Sequence, residues 1–174
     1  MNRGADGNVD LTPFFPFFLF LFLSFPALAY DANGVALGGK EIEVKQAFPS
    51  AHCKALEWKS DAADRRCDDA RISFGGVDAK ITFYLKAGAI QAFDARFDIK
   101  DLERVKKLLR GRYGTPLAEA TEVIARRDRE DRKVFKMRWE RVADRALLTA
   151  QLEKKRINLE VSRGTFPDEI YRVK

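Results

Sequence analysis

The sequence predicts an α+β protein in two layers, in which a helix followed by three or four antiparallel strands is repeated twice. Three observations lead to this. One helix is marked at both ends within Phe97–Pro116. Runs of strict apolar–polar alternation flank it, the period of strands with one buried and one wet face. The order helix-then-strands also comes twice, over about 30–97 and 98–174. Helices covering the buried face of such strands give two layers.

The chain begins with a different composition. Half of its 14 Phe fall between Phe14 and Phe25, and Pro26-Ala27-Leu28-Ala29 follows. An apolar run before an Ala-x-Ala site reads as a secretory signal covering 1–29, removed after Ala29. The run is shorter than the roughly 20 apolar residues that a spanning helix needs. Its flank carries Asp6 and Asp10 beside Arg3, which leaves retention as an N-terminal anchor as the other reading. Removal takes away one Arg and two Asp, so the net charge rises from +6 to +7. Residues 30–174 then form one α+β domain, localised to the periplasm or secreted.

Within the domain, Tyr30–Gly39 is a short Gly-rich lead-in with Val35 and Leu37 pointing inward. Lys40–Phe48 is a short helix, its apolar face Ile42, Val44, Ala47 and Phe48, stopped by Pro49. Cys53–Trp58 alternates as a strand, Ser60–Arg66 is a polar loop, and Arg71–Phe74 is a short strand ended by Gly75-Gly76. Lys80–Leu85 and Ala89–Phe97 pair as a hairpin around Lys86-Ala87-Gly88, with Gly in the left-handed position.

The central helix follows. Asp98 is its N-cap, and Phe97 and Leu102 are spaced as a hydrophobic staple. Ile99, Leu102, Val105, Leu108, Leu109 and Tyr113 form one apolar stripe. Acids open the helix and bases close it, as its dipole favours; Gly111 and Gly114 offer left-handed caps, and Pro116 blocks continuation. Beyond it, Leu117–Ala125, Val134–Glu140, Ala146–Glu153 and Ile157–Val161 read as strands. Gly164–Lys174 reads as an extended tail.

Tyr113-Gly114-Thr115-Pro116, closing the second helix, and Val35-Ala36-Leu37-Gly38, ahead of the first, resemble segments of a known group. These are small exported bacterial envelope proteins of the SmpA/OmlA outer-membrane assembly type, with a β-lactamase-inhibitor-protein-like fold. The resemblance implies a non-enzymatic protein that binds other proteins. Those assembly factors are lipoproteins, and the residue directly after Ala29 here is Tyr30 and not Cys, so the resemblance does not extend to a lipid anchor.

Two cysteines in an exported chain make one disulfide, Cys53–Cys67, closing a short loop. The other use of the region is a zinc site from His52, Cys53, Cys67 and Asp68 or Asp69. Its spacing matches no zinc motif, so no metal and no cofactor is expected. His52, the only His, lies near Ser50 and suggests a small hydrolase, but no acid is placed to orient the ring. Asp61, Asp64, Asp68 and Asp69 lack calcium-loop spacing. Glu57, Glu140 and Glu160 fall on polar strand faces, where ordinary surface placement accounts for them. The glycine pairs lack phosphate-loop spacing.

Charge gives the one regional signal. Between Arg126 and Arg156 twelve bases face six acids, and Arg126, Arg127, Arg129, Arg132, Lys133, Lys136, Arg138 and Arg141 fall on one hairpin. Such a patch attracts an acidic protein or an anionic membrane surface. Nucleic acid is not expected, since aromatic residues are sparse there and an exported chain seldom meets it. The sequence therefore predicts an exported binding or adaptor protein, not an enzyme, that contacts an envelope protein or an anionic surface through its sheet and basic hairpin. The alternatives are a soluble lipid or small-ligand carrier, with a pocket between helices and sheet, and a hydrolase using His52. Oligomeric state and strand order are not legible.

Overall fold

Ile81, Ala95, Leu159, Leu148 and Met137 stand in one line across five neighbouring strands, each buried. That line is the middle of the core, and it crosses from one half of the chain to the other. The computed structural model describes Met1, residues 29–125 and residues 131–172. The signal expected over 1–29 therefore lies almost wholly outside the described residues, as do Arg126, Arg127 and Arg129.

After a two-stranded β1 (Asp31–Ala32) and β2 (Val35–Ala36) comes α1 (Glu41–Ala47). Four strands follow: β3 (His52–Ala55), β4 (Arg65–Phe74), β5 (Val77–Lys86) and β6 (Ala89–Asp98). A short 3-10 turn, Ile99–Asp101, leads into α2 (Leu102–Tyr113). Then come β7 (Ala118–Ile124), β8 (Arg132–Glu140), β9 (Asp144–Gln151), β10 (Arg156–Arg163) and α3 (Phe166–Glu169).

The expected two-layer helix–strand repeat is corrected by the sheet. Among the described residues, strands β3 to β10 form one eight-stranded antiparallel sheet in the order β3-β4-β5-β6-β10-β9-β8-β7, and strand dominates over three short helices. The physical reason is the β6–β10 pairing. Phe93, Ala95 and Phe97 lie against Val161, Leu159 and Ile157, so the halves join edge to edge instead of each closing its own layer. One apolar cluster then runs from Tyr30 to Val161. Each large side chain sealed in it contributes about 1.5–3 kcal/mol.

Several local expectations also change. Strand β4 begins at Arg65, not Arg71, because a bulge between Asp69 and Ile72 interrupts its alternation without ending it. The supposed polar loop before it buries Ala62 and Ala63. The tail is not extended: Phe166 and Ile170 of the α3 segment are buried, with Ala62, Ala63, Tyr84 and Ala92, in a second small cluster.

The start of the helix differs from that expected: Asp98 caps the 3-10 turn, and α2 itself has Asp101 at its N-cap with no side-chain bond. Asp98 accepts from the Lys100 amide, and Gly114 takes φ +84 just past α2. The α2 stripe is buried through Val105, Leu109 and Tyr113. Tyr113 donates to the Asp31 carbonyl at 2.9 Å, and Trp139 Nε1 donates to the Gly114 carbonyl at 2.9 Å, which ties the helix end to β1 and β8. All of this sits on one face of the sheet. The other face is only part covered, by α3 and the 56–63 loop, and there the site lies.

Candidate functional site

The strand register sets the outer face as a grid. Pairing places His52, Asp68, Thr82, Asp94, Glu160, Leu147 and Arg138 in one row across seven strands. The next row on one side runs Lys80, Arg96, Asn158, Thr149, Lys136 and Ala120. These positions alternate with the buried ones, so the strands bring mostly polar side chains to this face, with Leu147 and Ala120 as apolar exceptions among them.

Three adjoining hollows line the middle of this face, and a fourth of about 770 Å³ opens at its end beside Lys80, Arg96 and Asp98. The central one, about 190 Å³, has Tyr84, Asp94, Arg96, Asn158, Glu160 and Ser162 among its walls. Toward β7 a wider hollow of about 500 Å³ is lined by Glu122, Lys136, Arg138, Glu140, Arg145 and Glu160, among others. Toward β3 a third, about 360 Å³, meets Trp58, Arg66, Asp68 and Tyr171. Tyr171 stands 69% exposed at the rim, stacked on Trp58 with ring centroids 5.6 Å apart. Trp58 is itself fixed by its Nε1 donating to the Ile170 carbonyl at 2.8 Å.

Asp94 is the electrostatically unusual group. Burial pushes its carboxyl up to about 7, and Glu160, opposite on β10, pushes the same way. Arg96 and a hydrogen bond from Tyr84 oppose the shift. Burial, and then the nearby Asp94 charge, raise the Tyr84 hydroxyl as well. A perturbed carboxyl in a hollow marks a candidate functional group. Nothing in the sequence singles out Asp94, because its partner Glu160 lies across a strand pairing that strand order alone reveals.

The predicted basic hairpin is divided by the fold. Lys136 and Arg138 face the wide hollow, where Lys136 pairs with Glu122 at 2.7 Å and Arg138 reaches Glu140 at 3.5 Å. Arg132 shares their face, half-buried, and Lys133 is exposed on the opposite one. Arg141 turns away and lies over the Tyr30 ring at 4.2 Å, a cation–π contact with the core's edge. Arg126, Arg127 and Arg129 lie outside the described residues.

The other sequence candidates are placed as follows. Cys53 and Cys67 are opposite each other in the β3–β4 register and joined as a disulfide, so the zinc alternative is corrected: both sulfurs are spent. The bond fits an oxidising compartment of the kind exported proteins meet. Among the described residues, no helix is long and apolar enough to cross a membrane. His52 is exposed on the edge strand, opposite Asp68. That carboxylate already accepts from Thr82 at 2.8 Å and pairs with Arg66 at 2.9 Å. Asp64 accepts from the Ala87 amide and Asp69 from the Arg71 amide, so both serve turns. Of the three glutamates, Glu57 pairs with Lys54, Glu140 with Arg138, and Glu160 faces Asp94.

Comparisons with protein families, with curated proteins and with solved structures find no match.

Proposed function

We propose that the chain is an exported, non-enzymatic binding protein that engages a protein of the cell envelope through the outer face of its sheet. One observation carries this: Lys136 and Arg138 line a wide hollow on that face together with Glu122, Glu140 and Glu160. A bilayer surface presents charge of one sign. A face where acids and bases alternate at strand spacing suits a protein of mixed charge, whose register it can select. Tyr171, exposed and braced by Trp58, adds the kind of rigid aromatic that anchors interfaces. The resemblance to envelope assembly factors points the same way.

The test is charge reversal. Lys136→Glu with Arg138→Glu weakens capture of the envelope partner by the purified, tagged chain while leaving its circular dichroism unchanged. Undiminished capture by that double variant removes the reading.

A second reading, acid–base catalysis on a small substrate, rests on the Asp94–Glu160 pair. A carboxyl that burial pushes up to about 7, with a second carboxyl opposite it, suits the division of roles such chemistry needs. It moves the hydrolase idea from His52 to the central hollow. A hydrolytic activity surviving both Asp94→Asn and Glu160→Gln would dispose of it. The carrier alternative finds less support, since Phe83, Phe93, Leu109 and Leu148 fill the space between helices and sheet.

A further inference from the structure

The two edges of the sheet are treated differently. Strand β3 is four residues long, carries Lys54 and is bonded to its neighbour through Cys53–Cys67. Short length and an edge Lys are the usual protection against pairing with another chain. Strand β7 has none of this. It is seven residues, Ala118-Glu-Ala-Thr-Glu-Val-Ile124, with no Pro, Lys or Arg, and its register on β8 is unbroken. Every one of the seven is exposed, and among the described residues it is the last strand of the order. Leu117, Val123 and Ile124 are 62%, 58% and 45% exposed along it.

We propose that β7 is a self-association edge, on which a second copy of this chain adds its own β7 antiparallel, joining two eight-stranded sheets into one. The occupant follows from the strand's own chemistry. A two-fold axis perpendicular to the sheet keeps outer face with outer face, so it must pass through a residue paired with itself. Centring on Glu119 or Glu122 sets two carboxylates directly opposite, which is unfavourable. Centring on Thr121 pairs the whole strand with no like charges opposed. Thr121 then meets Thr121, a favourable cross-strand pair, while Ala118 meets Ile124, Glu119 meets Val123 and Ala120 meets Glu122.

The two acids are also neutralised within their own chain. Glu119 is held by Arg110 of α2, and Glu122 by Lys136 at 2.7 Å. The edge therefore offers a second copy apolar groups and open backbone donors and acceptors without net repulsion. Because Ala118, Ala120 and Glu122 also line the wide hollow, the axis sets two such hollows side by side on one face.

Sedimentation of the purified chain over a concentration series tests the proposal. Parent protein shows a reversible monomer–dimer equilibrium, and Thr121→Lys weakens it by about ten-fold or more, because two ammonium groups then meet on the axis. Thr121→Cys provides a second reading that does not rely on a weakened edge. Under mild oxidation it forms a covalent dimer far faster than a Val142→Cys control, whose position is also fully exposed. A parent chain that stays monomeric at every concentration overturns the proposal, whether or not β7 takes a strand from another protein. Equal rates for the two cysteine variants overturn it too.

Discussion

Asp94 and Glu160 stand directly opposite each other across the β6–β10 pairing, two carboxylates in the wall of one hollow. The pairing that fuses the halves of the chain into one sheet also sets a second carboxyl against Asp94.

A pH dependence follows. Burial, then Glu160, raise the Asp94 carboxyl from 3.8 to about 7. Between those values the folded chain keeps a proton that the unfolded chain has released, so stability falls as pH rises through the window. Asp94→Asn cannot ionise and still accepts from Tyr84. Its thermal midpoint exceeds the parent's at pH 8, by the equivalent of about 1–2 kcal/mol once the hollow's partial exposure is allowed for, and the gap closes toward pH 4. A gap that stays constant from pH 4 to pH 8 would contradict the assignment.

Arg141 separates structural from interacting bases. Its guanidinium lies on Tyr30, so Arg141→Ala costs about 1 kcal/mol in urea unfolding and leaves partner capture unchanged. Arg138→Glu does the reverse, with stability nearly unchanged and capture weakened, since Arg138 is exposed. Equal effects of the two on capture would show that the hairpin acts as one patch.

The disulfide ties the short edge strand to the sheet. Its sequence separation is 14 residues, and a loop of that size is worth about 3 kcal/mol in the chain-entropy model. Cys53→Ser with Cys67→Ser lowers the melting temperature by roughly 10 °C, read by calorimetry. No change on losing the bond would mean that β3 adds nothing to the cooperative unit.

Gly75 supports helix packing. It turns the β4–β5 hairpin at φ +57, and a Cβ there would stand 2.6 Å from Leu108 Cδ1 on α2. Gly75→Ala destabilises by about 1–3 kcal/mol through backbone strain and crowding. Combining it with Leu108→Ala removes the crowding, so the double variant loses less than the sum of the singles. Strict additivity in urea unfolding would argue against the contact.

Much of the fold was legible. Caps and glycines located α2, and strict alternation located the β5–β6 hairpin and β8, because those signals are local. Strand order was not, since the contacts of Phe93 with Val161 are 68 positions apart and no periodicity announces them. The two-layer repeat failed for that reason. The site was half legible: alternation put Lys136 and Arg138 on a polar face, but Asp94 acquires its character from burial and then from Glu160, both of which depend on strand pairing. The bulge in β4 and the buried α3 segment were hidden by polar residues that the fold exposes.

The outer sheet face is the proposed binding surface. Photo-crosslinking groups placed singly at Thr149 and Ala120 on that face, and at Lys107 on α2, test it most directly in intact cell envelopes. Thr149 and Ala120 give one shared protein adduct, lost when Lys136 and Arg138 are reversed, and Lys107 gives none of it. The same adduct forming from Lys107, or surviving the charge reversal, would contradict it.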